Sequence, residues 1–467
     1  MKLPIPKRKR KEIRTVPAVL PDKNKIIAAV VRQKLREFVV PVSYRIVGTK
    51  QPYRYELPAV VVEKRITPEI KRPLQPAVVS YKVMVGRILR TIQGPHKNEE
   101  PAEIDVSAGT RLFILGASGA GKTNLCKVII EEYYKNTPAN IFVFDMESEY
   151  PLMAKPQEDE NLVSLLTRYG LEPQGFPVRV LSLSSVLEDE EFRSFLQELG
   201  VERTPVKIDP QMISSDMLQL LAGATTGAGK TYCDTIIRAY REAGDFSFLG
   251  LEKAIANSGV PPSFEKRIVL TLEGLRGLIA PFDVRSLLAD RKINVFFFPA
   301  EFFPSASERV FWAVFFANFV MSLAYTLPDF SALAAMDEAG EFARGEITER
   351  MVKTNIAGLY RRGRKRRIDS VISTNVGGVL EDVKMNIRGA FYLRIPETAF
   401  SRSMMAKAVV RPGLEDIVSS LKEYQAVMDF PAEGETYVIA IRPAQSFLPV
   451  RKKPERREEG TLVFHTG

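Results

Sequence analysis

A glycine-rich octapeptide, GASGAGKT at Gly116–Thr123, constrains the fold of this chain more than any other segment. It fits the pattern G-x-x-x-x-G-K-[ST] at every fixed position. The apolar run LFIL precedes it, and the helix-forming segment Leu125–Ile130 follows it. Such a strand–loop–helix unit binds phosphate, because its backbone N–H groups and the helix N-terminus point at the anion. The segment therefore predicts a nucleotide site on a parallel sheet; a chance glycine-rich turn is the alternative.

The residue types of this loop carry separate predicted roles. Lys122 would reach the β- and γ-phosphates, and the Thr123 hydroxyl would ligate Mg²⁺. The cofactors expected for the site are therefore ATP and Mg²⁺. The nucleotide-binding candidates of the loop and the first helical turn are Gly116, Ser118, Gly119, Ala120, Gly121, Lys122, Thr123 and Asn124.

Two adjacent acids are candidates for the hydrolytic chemistry. Hydrolysis needs a carboxylate on the metal side and a base that orients the attacking water. The apolar run Leu333–Met336 ends in Asp337 and Glu338. We assign Asp337 to the metal and Glu338 to the base.

Polar residues also follow two other predicted strands. Asn375 ends the segment Ile368–Asn375, which places its amide where a γ-phosphate sensor would lie. The segment DMESEY brings Asp145 and Glu149 to the same carboxyl edge of the sheet. Either these two acids help to order Mg²⁺ and water, or they cap the following turn. Both interpretations stay open at the level of sequence.

A basic run, RRGRKRR at Arg361–Arg367, directly precedes the predicted strand at Ile368. Arg361 or Arg364 could complete the site of a neighbouring subunit as an arginine finger. Other members of the run could face a nucleic-acid backbone. A solvated basic surface is the third interpretation.

A second, looser copy of the loop pattern, ATTGAGKT, stands at Ala224–Thr231. Ser214–Asp216 is a helix-start signal, and Met217–Leu221 reads as the end of that helix. No predicted strand leads into this second loop, and we assign no acidic pair to it. We interpret it as a turn between two helices.

The pattern of strands and helices predicts an α/β protein with a RecA-like, ASCE-type P-loop core. The predicted core strands are Arg111–Leu115, Asn140–Phe144, Val178–Leu183, Ile293–Phe298, Ala332–Met336, Ile368–Ser373, Ala390–Ile395 and Glu433–Ile441. The predicted domains are a basic arm at 1–30, a small β-barrel at 31–93, the ATPase core at 94–185 and 290–442, a helical insertion at 186–289, and a C-terminal brace or tail at 443–467.

Charge and composition narrow the partners and the location. The net charge is +10, and residues 1–14 hold seven basic side chains against one glutamate, which fits an arm that meets nucleic acid or a plain solvated tail. The uncharged stretch Val310–Leu327 has the length of a membrane span, but it lies between predicted core strands, so we expect a buried helix and no membrane insertion. The two cysteines and the lack of a secretory signal predict a cytoplasmic protein.

Together the motifs resemble the HerA/FtsK superfamily of DNA-translocating ATPases, and the HerA type most closely. The resemblance spans roughly Val85 to Phe447. The segment Asp145–Tyr150 is similar to the superfamily's D-x-x-x-E-Y, Asp337–Ala339 to its D/E-E-A, and Arg361–Lys365 to its R-x-G-R-K. Ser373–Asn375 departs from the pattern, because relatives carry A-T-Q there.

The resemblance implies a hexamer that passes double-stranded DNA through a central channel, with Arg361 or Arg364 acting in trans. The expected function is then an ATP-driven DNA translocase or helicase that acts in DNA end processing with a NurA-like nuclease. One alternative is a DNA-packaging or conjugative motor of a virus or plasmid. Another is an ATP-driven protein-remodelling ring.

Overall fold

The computed structural model describes most of the chain in two units, 1–78 and 79–467. The residues described are 41–44, 53–56, 80–107, 109–224, 227–273, 276–280, 282, 284–327, 329–339, 359, 363–375, 386–396 and 412–449. In the first unit, the antiparallel strands β1 (Pro41–Tyr44) and β2 (Tyr53–Glu56) pair from Pro41↔Glu56 to Tyr44↔Tyr53.

In the second unit, the strands of the described residues form one twelve-stranded sheet. These strands are β3 (Lys82–Gln93), β4 (Pro101–Asp105), β5 (Arg111–Leu115), β6 (Asn140–Asp145), β7 (Val178–Ser182), β8 (Glu202–Pro205), β9 (Ile293–Phe297), β10 (Ala332–Met336), β11 (Ile368–Thr374), β12 (Gly389–Leu393), β13 (Gln425–Phe430) and β14 (Glu435–Ile441). Their order is β4-β3-β14-β13-β12-β5-β11-β10-β6-β9-β7-β8.

Helices connect and cover these strands. The α-helices of the described residues are α1 (Lys122–Asn136), α2 (Glu160–Arg168), α3 (Ser184–Leu187), α4 (Glu190–Glu198), α5 (Ser215–Leu221), α6 (Gly227–Ala243), α7 (Phe248–Asn257), α8 (Pro262–Glu273), α9 (Val284–Ala289), α10 (Ala306–Thr326) and α11 (Glu415–Ser419). Short 3₁₀ turns occupy Pro151–Ala154, Pro210–Met212, Arg276–Leu278 and Arg364–Arg366.

The strand order explains how the sequence motifs come together. Eight adjacent strands run parallel to one another, so their carboxyl ends lie at the same side of the sheet: β12, β5, β11, β10, β6, β9, β7 and β8. Strand β12 is antiparallel to its other neighbour, β13. Strand β11 lies between β5, which leads into the phosphate loop, and β10, which leads into the acidic pair. A strand between the strand of the phosphate loop and the strand of the acidic pair is the arrangement expected of the RecA-like, ASCE class. The strand order therefore confirms the predicted fold of the core.

Apolar side chains on both faces hold the centre of the sheet. Every residue of β7, β9, β10 and β12 is buried, as expected for parallel strands covered on both sides. Helix α10 packs against one face through Phe316 and Phe319, whose rings contact Phe296. Within the residues that the structure describes, Glu308–Thr326 is the helix that is long and apolar enough to cross a membrane, and 72% of it is buried inside the protein. The predicted burial of this segment is confirmed.

Two of the predicted domains need correction, one in its limit and one in its content. The predicted barrel at 31–93 is wrong for Lys82–Gln93, because this strand pairs with β14 in the large sheet. Its alternating buried positions, such as Val83 and Val85, suit either a barrel or a sheet, so the pattern alone could not distinguish them. The remainder of 31–79, apart from β1 and β2, lies outside the described residues, as does the arm at 1–30.

The helical insertion also contains one strand that the pattern does not reveal. Glu202–Pro205 is β8, the edge strand beside β7. Its sequence, ERTP, has no apolar residue other than a proline, and none of its four residues is buried. Charged residues and proline are common on edge strands, because they prevent pairing with a further strand. The other secondary-structure elements that the structure describes between 186 and 289 are α-helices and 3₁₀ turns, joined by loops.

Candidate active site

The glycine-rich loop joins the end of β5 to the start of α1, as predicted. Gly119 and Gly121 adopt φ values of 75° and 96°, a left-handed conformation that glycine adopts without strain. Gly121 is the N-cap of α1, so Lys122 is the first helical residue. A Cβ at Gly116 would lie 2.9 Å from the Cβ of Leu393. Glycine is therefore required here for both backbone conformation and close packing against β12.

The loop tip is open to solvent, whereas its lysine is not. Ser118 and Gly119 are exposed, and the Ala120 N–H donates to the Ala117 carbonyl (3.2 Å). Lys122 is only 5% exposed, and its Nζ lies 3.1 Å from Glu338 Oε1. The lysine assigned to the phosphates and the glutamate assigned to catalysis are therefore in direct contact.

The Glu338 backbone is unusual for its residue type. Its φ is +49°, which costs a non-glycine residue conformational energy. The neighbouring Asp337 accepts a hydrogen bond from the Glu338 N–H (3.0 Å), which helps to fix this turn. The strained turn directs the two adjacent acids to different partners: Asp337 to Thr123 and Glu338 to Lys122.

Thr123 and Asp337 form the candidate metal position. The Thr123 hydroxyl donates to Asp337 Oδ2 over 3.0 Å, although the two residues are 214 positions apart in sequence. A hydroxyl and a carboxylate at the end of a phosphate loop are hard oxygen donors, which Mg²⁺ prefers. The donor chemistry of these two residues therefore fits Mg²⁺.

Two further hydroxyl groups contact Asp337, and the sequence assigned neither to the site. The Tyr150 hydroxyl donates to Oδ2 (2.8 Å), and Ser373 Oγ donates to Oδ1. Both residues belong to segments quoted for the resemblance, Asp145–Tyr150 and Ser373–Asn375. Their position within those segments was the available signal, but only the strand register shows that they converge on Asp337.

Asp145 takes the capping role of the two proposed for it. Its carboxylate is buried and accepts hydrogen bonds from the backbone N–H groups of Glu147 (3.1 Å), Glu149 (3.3 Å) and Tyr150 (3.0 Å). Burial raises the pKa of Asp145 from 3.8 to about 7. The prediction that Asp145 binds the cofactor is not supported by this geometry, because its oxygens are directed to the loop's own amides.

Glu149 is half-buried beside a buried lysine of α1. Burial lowers the pKa of Lys127, and the carboxylates of Glu149 and Asp145 oppose that shift. Lys127 Nζ also donates to the Phe447 carbonyl (3.0 Å). The structure thus places Glu149 near α1, and its proposed role toward Mg²⁺ or water stays a prediction.

Asn124 faces away from the loop, which corrects its assignment to the nucleotide. Its Nδ2 donates to the Arg442 carbonyl (3.0 Å), and its Oδ1 accepts from the Ala444 N–H (2.9 Å). These bonds attach the first turn of α1 to the segment after β14. The pattern could not show this, because 318 residues separate Asn124 from Arg442.

The segment from Arg442 to Phe447 makes several further contacts with α1. The guanidinium of Arg442 is fully buried and lies 3.1 Å from Glu131 and 3.0 Å from Glu132. Glu131 also accepts from the backbone N–H groups of Gln445 (3.1 Å) and Ser446 (2.9 Å). Residues 442–447 therefore hold the helix that carries Lys122 and Thr123, and the brace or tail over 443–467 stays a prediction.

Asn375 and the described part of the arginine run, residues 363–367, lie at opposite ends of β11. Asn375 directly follows β11, whose last residue Thr374 is in register with Leu115 at the start of the loop. Arg364 belongs to the 3₁₀ turn that precedes β11. The seven residues of β11 separate these ends by about 20 Å. Arg361 lies outside the described residues.

Comparisons with known proteins agree with this geometry. Residues 84–216 match the family model described as "Helicase HerA, central domain". A search of curated proteins gave no match. Among solved structures, VirB4 of Thermoanaerobacter pseudethanolicus is 12% identical, with a TM-score of 0.51 over 77% of this chain and 96% of that one. The plasmid coupling protein TrwB in complex with ADP and Mg²⁺ is 13% identical, with a TM-score of 0.46 over 73% and 87%.

At 12% identity, the similarity to VirB4 concerns the fold alone. The TM-score of TrwB is lower, and we base no argument on that structure. The family match covers β3 to the start of α5, which includes the phosphate loop and the segment Asp145–Tyr150. Residues 84–216 therefore match the HerA central-domain family, and the predicted resemblance of the chain to the HerA/FtsK superfamily of P-loop ATPases is confirmed.

Proposed function

We propose that this protein hydrolyses ATP in a ring of identical subunits and uses the energy to move double-stranded DNA, in DNA end processing with a NurA-like nuclease. The observation that carries the proposal is the pair of contacts Lys122–Glu338 and Thr123–Asp337. They bring a phosphate-binding lysine, a metal-side hydroxyl and carboxylate, and a candidate base to one edge of the sheet.

The chemistry follows from these positions. The loop N–H groups and Lys122 would bind the phosphates, and Thr123 and Asp337 would hold a Mg²⁺ ion that neutralises phosphate charge. Lys122 then exchanges Glu338 for phosphate oxygens, since both compete for the same ammonium group. Glu338, released from the ion pair, orients a water for in-line attack on the γ-phosphate. Asn375, which follows the neighbouring strand β11, would contact that phosphate.

The DNA-motor proposal is tested by ATP hydrolysis with and without linear duplex DNA at low salt. We expect duplex DNA to stimulate hydrolysis, and the stimulation to fall as salt rises because phosphate contacts release counterions. Glu338→Gln should still bind ATP but lose turnover by about a hundredfold or more, the range for a removed general base. An unchanged rate with DNA would refute the motor, whereas normal hydrolysis by Glu338→Gln would refute only the base.

The ring is supported by the distance between the arginine run and the loop. The turn at Arg364–Arg366 lies at the amino edge of β11, so it is about 20 Å from the loop of its own subunit. An arginine finger from the turn Arg364–Arg366 would therefore serve another subunit. Arg364→Ala and Lys122→Ala should each be inactive alone, and mixing them should restore part of the hydrolysis. With subunit exchange verified, no recovery would contradict action in trans.

A further inference from the structure

The carboxylate of Asp337 is surrounded by hydrogen-bond donors. Its Oδ2 accepts from Thr123 (3.0 Å) and Tyr150 (2.8 Å). Its Oδ1 accepts from Ser373 and from the Glu338 N–H (3.0 Å). A carboxylate offers about four acceptor positions, so these donors occupy its full capacity. A metal-bound water can reach Asp337 only if one of them leaves.

Thr123 is the donor that the nucleotide reaction would withdraw. Its hydroxyl is the predicted Mg²⁺ ligand, and turning toward the metal frees one position on Oδ2. Neither Tyr150 nor Ser373 is a predicted Mg²⁺ ligand, so their hydroxyl groups can stay on Asp337 when Thr123 turns to the metal. They come from different elements, the loop after β6 and the end of β11, and each holds a different oxygen of the carboxylate.

The surrounding structure fixes the Tyr150 side chain. It is fully buried, its N–H donates to Asp145 (3.0 Å), and Lys127 Nζ lies 5.9 Å from its ring centroid. Asp145 in turn accepts two more N–H groups of the same loop. The loop therefore delivers one hydroxyl to Asp337 at a defined position, which explains why an acid is needed at Asp145 without a metal contact.

We propose that Tyr150 and Ser373 are positioning residues, which orient Asp337 toward the metal–nucleotide complex after the Thr123 hydroxyl has turned to the metal. This inference rests on the proposed function, because it assigns both residues to the same hydrolytic site. Partners of this kind typically change metal affinity by about 10-fold to 100-fold when they are removed.

The test measures nucleotide binding rather than turnover. A fluorescent ATP analogue is titrated into Tyr150→Phe and Ser373→Ala, once in EDTA and once over a series of Mg²⁺ concentrations. We expect each variant to raise the Mg²⁺ concentration for half-maximal binding about tenfold, and binding in EDTA to stay as in the wild type. The matched controls are Tyr133→Phe, a fully buried tyrosine of α1, and Ser370→Ala, a buried serine of β11. Both should match the wild type.

The outcomes separate this inference from the proposed function. If Mg²⁺ does not affect nucleotide binding by the wild type, the metal-dependent site itself is wrong. If the wild type responds to Mg²⁺ but both variants match their controls, the site stands and the positioning role is wrong. Equal losses in EDTA and in Mg²⁺ would also overturn it, because they indicate a structural role. Since the two residues lie on separate elements, failure of one variant to fold leaves the other as the test.

Discussion

The chain contains the pentapeptide GAGKT twice, and the two copies adopt different structures. In the first, Gly119–Thr123, the helix begins only at Lys122, after the left-handed Gly121. In the second, the helix α6 begins at Gly227, so all five residues of the copy are already helical. Lys122 is buried against Glu338, whereas Lys230 is exposed.

The threonines show the same difference. Thr123 donates to Asp337 across the sheet, but Thr231 donates to the carbonyl of Gly227, one turn back in its own helix (3.1 Å). A strand, β5, leads into the first copy, and a helix, α5, precedes the second. The pentapeptide alone therefore does not define a phosphate site. The preceding strand, which stops the helix from extending backwards through the glycines, decides between the two.

The largest difference between the two copies is expected when the lysine of each copy is replaced in turn. Lys122→Ala should reduce ATP hydrolysis on the order of a thousandfold, since one lost donor to developing phosphate charge costs about that much. Lys230→Ala should leave hydrolysis within about twofold of the wild type, because an exposed lysine away from the site has no such contact. Steady-state phosphate release measures both. A comparable loss with Lys230→Ala would show that the second copy also binds nucleotide.

The second prediction concerns the anchoring of the two helices. Glu131 on α1 is fully buried and pairs with Arg442, whereas Glu242 on α6 is exposed. Glu131→Gln places an amide NH₂ against donors and removes one of the two buried carboxylates that pair with Arg442, so we expect a loss of about 3 kcal/mol in the free energy of unfolding. Glu242→Gln should change it by less than about 0.5 kcal/mol. Urea denaturation decides; equal effects would mean that the brace does not secure the phosphate-loop helix.

Sequence reasoning predicted side chains that the structure brings into contact where chemistry dictates the residue type, and it failed where the fold alone decides the partner. Lys122, Thr123, Asp337 and Glu338 were assigned because phosphate, metal and water each need a particular functional group at the end of a strand. Asn124 and Asp145 were misassigned, since an amide or acid near a loop can equally well bind backbone groups. No local pattern reports that choice, because the partners of Asn124 lie in the segment after β14.

The third prediction uses the pH dependence of stability near the first copy. Burial raises the pKa of Asp145 from the ordinary aspartate value of 3.8 to about 7, so between about pH 4 and pH 7 the folded state retains a proton that the unfolded state releases. Raising the pH through this window should therefore lower the free energy of unfolding, by about 2–4 kcal/mol, and it should have no further effect above pH 7.

Asp145→Asn should reduce this slope, and Asp234→Asn on α6 should keep it. Part of the slope should remain in Asp145→Asn, because burial also raises the pKa of Asp369 to about 6. The comparison is of slopes between pH 4 and pH 7, measured by denaturant unfolding, because Asp145→Asn also loses an acceptor for the Tyr150 N–H and is destabilised at every pH. A wild-type slope that persists unchanged in Asp145→Asn would mean that Asp145 is ionised throughout this range.

The smallest effects come from the glycines themselves, and they should have opposite signs. At Gly121, φ is +96°, so an alanine must adopt a left-handed conformation that costs about 1–2 kcal/mol. At Gly227 the residue is helical, and a Cβ would meet no atom within 4 Å. Gly227→Ala should therefore stabilise the protein by about 0.5 kcal/mol, since alanine restricts the unfolded chain. Urea midpoints measured side by side test this, and destabilisation by both changes would mean that the second copy also needs glycine for a loop.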